Sequence, residues 1–155
     1  PMRFLGLDLS HSQIASNRRS FPHLEFVAGD ALSWIPENPT GRTLFFAVGG
    51  VFEYVSRPSL LSFFKHVAVL GAPCILSAMF EPIDVHHELD SDPESRVHGP
   101  EHSFSHNSPA VLTEAGLDLF YVDKHPPLEV RTISLVATNQ ALGGQVDLSY
   151  RPREE

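Results

Sequence analysis

The sequence predicts an α/β domain built on a doubly wound, mostly parallel sheet that ends in an antiparallel hairpin. Three observations carry this. Apolar runs of strand length alternate with segments of helical periodicity along most of the chain. The run Thr43 to Val48 is apolar without alternation, as expected of a parallel strand covered on both faces. The last two strand-like runs are joined through Pro126-Pro127, a turn-like link that makes them antiparallel.

The elements follow in order. Phe4 to Leu9 reads as the first strand, and Ser10 caps a helix from His11 to about Arg19, with Gln13 at the capping-box position. Leu24 to Ala28 is a second strand closed by Gly29-Asp30, and Ala31 to Asn38 is a turn or short helix ended by Pro36 and Pro39. After the third strand, Gly49-Gly50 breaks the chain. Ser56 and Pro58 open the clearest helix, about Pro58 to Leu70. Its stripe is Leu60, Leu61, Phe64, Val67 and Ala68, and Gly71 ends it. Cys74 to Phe80 is a fourth strand, and the polar stretch Glu81 to His106 shows no periodicity. Ser108-Pro109 opens a short helix that Gly116 stops, and Leu117 to Val122 and Arg131 to Thr138 form the closing hairpin. The charged tail after about Asp147 reads as loose.

Length and composition bound the function. With 155 residues, 42% apolar and 19% charged, the chain fits one soluble domain over residues 1–155. A net charge of −8 argues against nucleic-acid and membrane partners, both of which reward a basic face. The single cysteine, Cys74, cannot form an internal disulfide, and its apolar surroundings read as packing. No apolar stretch reaches the ~18 residues of a membrane span, and no secretory signal is visible, so a cytoplasmic location is expected.

Three elements carry chemistry. Asp8 stands at the end of a parallel strand, where open α/β sheets bind ligands, and its carboxylate suits a ribose diol or, equally, the cap of the next helix. Asp30 stands one strand later, able to accept from the exocyclic amine of a purine, with the Ala31 amide placed for a ring nitrogen. Read alone it is a turn aspartate after glycine, but two such aspartates, one per β-α unit, favour the ligand role. Gly49-Gly50 allows close backbone approach to a ligand, and Phe52-Glu53-Tyr54 follows it toward the crevice or the next helix.

The stretch from Asp84 to His106 holds His86, His87, Glu88, Asp90, Asp92, Glu94, His98, Glu101, His102 and His106. No metal site is expected there. Ser91 stands where a zinc-protease helix needs histidine, and no cysteine cluster supports a structural zinc. The stretch reads as a solvated loop. A short-chain dehydrogenase pair is absent, because Tyr54, Tyr121 and Tyr150 are followed four residues on by Pro58, His125 and Glu154 rather than lysine. Neither a phosphate-loop Gly-Lys-Ser/Thr nor a Gly-x-Ser-x-Gly elbow occurs.

Taken together, Gly6-Leu7-Asp8-Leu9-Ser10, Phe26-Val27-Ala28-Gly29-Asp30-Ala31, Gly49-Gly50-Val51-Phe52-Glu53-Tyr54-Val55 and Thr113-Glu114-Ala115-Gly116-Leu117 before a hairpin resemble the class I S-adenosylmethionine-dependent methyltransferases, over residues 3 to 139. The resemblance implies a Rossmann-like fold with S-adenosylmethionine as cofactor. Asp8 and Leu9 would lie at the ribose, Asp30 and Ala31 at the adenine, and Gly49 and Gly50 beside the methionine part. It also makes the polar stretch a cover on the substrate side, with Glu53 and His106 as candidate general bases. The implied reaction is methyl transfer to a small-molecule acceptor. A non-catalytic binding or scaffold module of the same fold is the alternative, and a nicotinamide-dependent oxidoreductase a more distant one.

The departure is at the start. The family's glycine-rich motif follows its first strand, which is central in the order 3-2-1-4-5-7-6, and no Gly-x-Gly occurs in this chain. The N-terminal strand and helix are therefore expected to be missing. An upstream segment of a longer protein, or another chain, would complete the sheet, unless the second and fourth strands pair directly.

Overall fold

The computed structural model describes residues 3–38, 41–47, 51–71, 74–80, 95–98, 103–125 and 132–140. It forms two compact units, Pro1–Thr40 and Gly41–Glu155. No helix among the described residues is long and apolar enough to cross a membrane.

In the first unit, β1 (Leu5–Asp8) pairs in parallel with β2 (Glu25–Ala28), with α1 (His11–Ser20) as the crossover and α2 (Ala31–Glu37) after it. Gly6 lies opposite Phe26. A Cβ at Gly6 would stand 2.5 Å from Phe26 Cδ1, so glycine is what lets this ring, 8% exposed and edge-on to Phe4, close over β1. Ile14 is the buried anchor of α1. The Gly29 amide donates to the Asp8 carbonyl (2.9 Å), so alternate β2 residues, Phe26 among them, turn their backbone groups away from β1. Arg18 fills that outer edge, donating to the Phe26 carbonyl from Nη2 (2.6 Å) and Nε (3.2 Å). Arg3 and Glu25 form an ion pair at 2.7 Å whose exposure limits it to a small contribution.

Half of the expected capping box forms. Ser10 Oγ accepts from the Gln13 amide (3.2 Å), but the Gln13 side chain turns to Asn17 (2.9 Å). The reason is that the Ser10 amide, which Gln13 would have capped, already donates to Asp8 Oδ1 (2.7 Å). Helix α2 runs one residue past Pro36, since Asn38 closes its last turn through both its backbone and side-chain nitrogens on Trp34 O.

The second unit holds a four-stranded sheet in the order β3-β4-β8-β7, from β3 (Thr43–Ala47), β4 (Cys74–Phe80), β7 (Asp118–His125) and β8 (Thr132–Thr138). β3 and β4 are parallel; β8 enters antiparallel between β4 and β7, as the hairpin requires. Exposure alternates along β3, and Leu44 (61%) and Phe46 (73%) are exposed rather than covered. Among the described residues β3 pairs with β4 and β1 with β2, in separate sheets.

Helix α3 (Arg57–Ala68) supplies the core with Leu60, Phe63, Phe64 and Val67. Phe63 is buried where the sequence stripe named Leu61 and Ala68, which are half-buried: the covered face is turned toward Phe63. Ser56 sits at the N-cap, yet its hydroxyl meets Ser59 Oγ (3.0 Å) instead of a backbone amide. Helix α3 ends before Gly71, with the Val69 and Leu70 amides turning back to His66 and Val67 and Asn139 capping the Leu70 carbonyl. Helix α4 (Ser108–Glu114) does stop at Gly116, whose φ of 87° allows Leu117 N to reach Leu112 O and Gly116 N to reach Thr113 O. The polar stretch read as a loop contains a small antiparallel pair, β5 (Arg96–His98) and β6 (Ser103–Ser105); three-residue strands are too short to show a period.

The Gly6 contact yields a stability prediction. Gly6→Ala should lower the unfolding free energy by about 1–3 kcal/mol, the usual cost of overpacking. Urea denaturation measures it, and an unchanged midpoint would show that the Phe26 ring steps aside freely.

Candidate functional site

Two groups of polar residues stand at the carboxyl ends of strands, one in each unit. In the first unit, Asp8 ends β1 and Asp30 follows β2 as the N-cap of α2. Their strand ends are adjacent, since Asp8 pairs in register with Ala28 and its carbonyl accepts from Gly29. Both carboxylates are exposed. Each spends one oxygen on local backbone: Asp8 Oδ1 accepts from Ser10 N, and Asp30 Oδ1 accepts from Leu32 N (3.0 Å). Neither Oδ2 takes a hydrogen bond among the described residues. The cap reading and the ligand reading of these aspartates are thus compatible, because different oxygens serve them. Leu9 is 73% exposed and Ala31 half-buried beside them.

In the second unit, Gly49 and Gly50 lie outside the described residues. The chain resumes with a short 3₁₀ turn, Phe52–Tyr54, closed by Val55 N on Phe52 O (3.0 Å). Phe52 is held edge-on to Phe64 at 5.4 Å, which anchors the turn to α3. Glu53 is buried (4% exposed), whereas Tyr54 is exposed. His106 is also buried, and its ring lies parallel to Phe104 at 5.8 Å. Its Nε2 stands 3.2 Å from Phe52 O and 3.1 Å from Val55 O, and its Nδ1 stands 2.6 Å from Ser95 Oγ. Both carbonyls only accept, so Nε2 carries a proton. The structure therefore brings the turn that carries Glu53 and the His106 ring together, with Ser103, Ser105, Asn107 and Ser108 buried around them.

Ser95 and Asn107 were not singled out from the sequence. Asn107 had a signal: it precedes Ser108-Pro109, the pattern of a cap before a first-turn proline, and its side chain accepts from the Ala110 amide (3.2 Å). Ser95 had none, since its partner lies beyond the β5–β6 pair. Among the described residues no three His, Cys, Asp or Glu side chains converge as a metal site. The acidic and histidine-rich residues 81–94 and 99–102 lie outside the described part.

No family profile matches the sequence, and no curated protein matches it. Solved structures do. PH0226 from Pyrococcus horikoshii OT3 aligns at 15% identity over 88% of this chain and 71% of its own, with a TM-score of 0.55. A TehB-like SAM-dependent methyltransferase from Corynebacterium glutamicum aligns at 16% identity over 87% and 67%, with a TM-score of 0.56. Magnesium protoporphyrin IX methyltransferase from Synechocystis PCC 6803, solved with SAH bound, aligns at 12% identity over 88% and 64%, with a TM-score of 0.61. The likeness is one of fold, and this chain spans 64% of the length of the last. The sheets β2-β1 and β3-β4-β8-β7 follow the 3-2 and 4-5-7-6 runs of the class I order.

The Asn107 cap is testable on its own. Asn107→Ala should cost about 1 kcal/mol of stability and Asn107→Ser less, since a neutral serine hydroxyl also caps. Denaturant titration of both variants separates a cap from a residue that merely fills space.

Proposed function

We propose, on the premise of the class I S-adenosylmethionine-dependent methyltransferase fold, that this protein transfers a methyl group from S-adenosylmethionine to a small-molecule acceptor. The observation that carries the reading is the pair of strand-end carboxylates, each with one oxygen tied to backbone and the other open. That donor set fits the cofactor. A ribose diol and an adenine amine both present N–H or O–H donors, and an open carboxylate oxygen accepts from either. Asp8 with Leu9 takes the ribose, Asp30 with the Ala31 amide takes the adenine, and Gly49-Gly50 lets the backbone approach the methionine part. Neighbours of this fold have been solved with SAH or SAM bound.

The cofactor supplies an activated methyl group and its own leaving group, so the protein's work is placement. Glu53, buried on the turn after β3, is the group we assign to take a proton from an acceptor hydroxyl or amine. The net charge of −8 supports a small acceptor over a polyanion. A cytoplasmic site of action belongs to the same reading.

Calorimetric titration of the intact protein with S-adenosylhomocysteine tests this. Binding should appear, and Asp30→Asn should weaken it about tenfold, or 1.4 kcal/mol, by turning an acceptor into a competing donor. The same variant should keep its thermal midpoint, because asparagine caps as well as aspartate. Asp8→Asn should weaken binding likewise. No heat from the intact protein well above micromolar ligand would overturn the methyltransferase reading in favour of a non-catalytic module.

A further inference from the structure

We propose that His106 is a positioning residue: its buried imidazole clamps the backbone of residues 52–55 and so fixes the turn that presents Glu53 and Tyr54 on the acceptor side of the site. The acceptor-side role rests on the methyl-transfer reading above; the clamp itself does not.

A three-residue 3₁₀ turn is marginal alone, and its last hydrogen bond here runs from Val55 N to Phe52 O. The Phe52 and Val55 carbonyls both face the His106 ring, and Nε2 lies within 3.2 Å of each. One N–H thus bridges the first residue of the turn and the residue after its last. The ring cannot rotate away. Ser95 Oγ holds Nδ1 from the other side, and Phe104 stacks on the ring face.

The bridge has a rigid base. Arg96 pairs with Ser105 in the β5–β6 ladder, so Ser95 and His106 occupy the next register position, and their side-chain bond extends the pair. The residue after His106 is Asn107, the cap of α4, whose Val111 and Leu112 are fully buried. His106 therefore ties a hairpin end, a helix start and the 52–55 turn at one point. It is poorly arranged to serve as a base. Its protonated Nε2 is spent on carbonyls, and its Nδ1 faces a serine hydroxyl inside the protein.

The test compares two conservative variants of the full chain. The glutamine amide nitrogen lies as many bonds from the backbone as Nε2, so His106→Gln keeps a donor for the two carbonyls. The asparagine amide reaches only as far as Nδ1, so His106→Asn keeps a partner for Ser95 and loses the clamp. Amide hydrogen exchange in residues 52–56 should quicken about tenfold in His106→Asn and stay near wild type in His106→Gln, the loss of one hydrogen bond's protection. In the wild-type protein, imidazole nitrogen shifts should show a protonated Nε2. Equal exchange in wild type and both variants, or a neutral ring protonated on Nδ1, would overturn the clamp. The nitrogen shifts decide the case even if a variant fails to fold. S-adenosylhomocysteine affinity, read in parallel, should hold in both variants, because the clamped turn serves the acceptor side. An absence of binding in wild type would sink the methyl-transfer reading while exchange and nitrogen shifts still decide the clamp.

Discussion

A backbone carbonyl withdrawn from water must be bonded, and in the second unit the turn at Phe52–Tyr54 meets this requirement through a side chain from another element. The turn follows a strand end and precedes α3, and it is too short to satisfy itself. Two solutions meet there. Phe52 packs its ring on Phe64, and His106 takes the two carbonyls that face inward. The α3 side chains Leu60, Phe64 and Val67, each fully buried and each contributing about 1.5–3 kcal/mol, form the surface on which this happens. Helix α4 adds Val111 and Leu112 to the core, and the Arg57–Glu114 pair links the start of α3 to the end of α4.

The first unit depends on the end of β1 in the same way. Asp8 accepts from Gly29 with its carbonyl and from Ser10 with its carboxylate. The first bond sets β2 beside β1; the second aims the chain into α1. One residue thereby fixes where the crossover begins and where β2 ends, and its remaining oxygen is left open at the exposed strand end. In a parallel sheet the strand ends with open carbonyls and the helix starts gather on one side, which is why these polar groups collect there without any long-range charge pairing.

Much of this was legible in the sequence. Strands of four or more residues, the amphipathic α3, the Gly116 stop and the hairpin each have a pattern longer than their own uncertainty. The strand-end positions of Asp8 and Asp30 are legible because each follows a strand-length apolar run. The failures share a physical cause. Gln13 was assigned to a cap that depends on a free Ser10 amide, and Asp8 had already taken it. Phe63 falls outside the stripe because periodicity gives the repeat of a helix but not the direction from which its neighbours press. Strands β5 and β6 are shorter than any period. The Ser95–His106 contact joins residues by a register that no local pattern encodes.

Arg18 gives the two-stranded sheet a direction. A strand whose outward carbonyls are unclaimed acts like the growing end of a polymer, ready to template another strand. By holding the outward Phe26 carbonyl with two nitrogens, the guanidinium takes one acceptor out of the β2 edge and makes that edge a poorer template. A single arginine on a crossover helix thus works as a partial chain stopper, alongside the exposed charge of Glu25 on the strand itself.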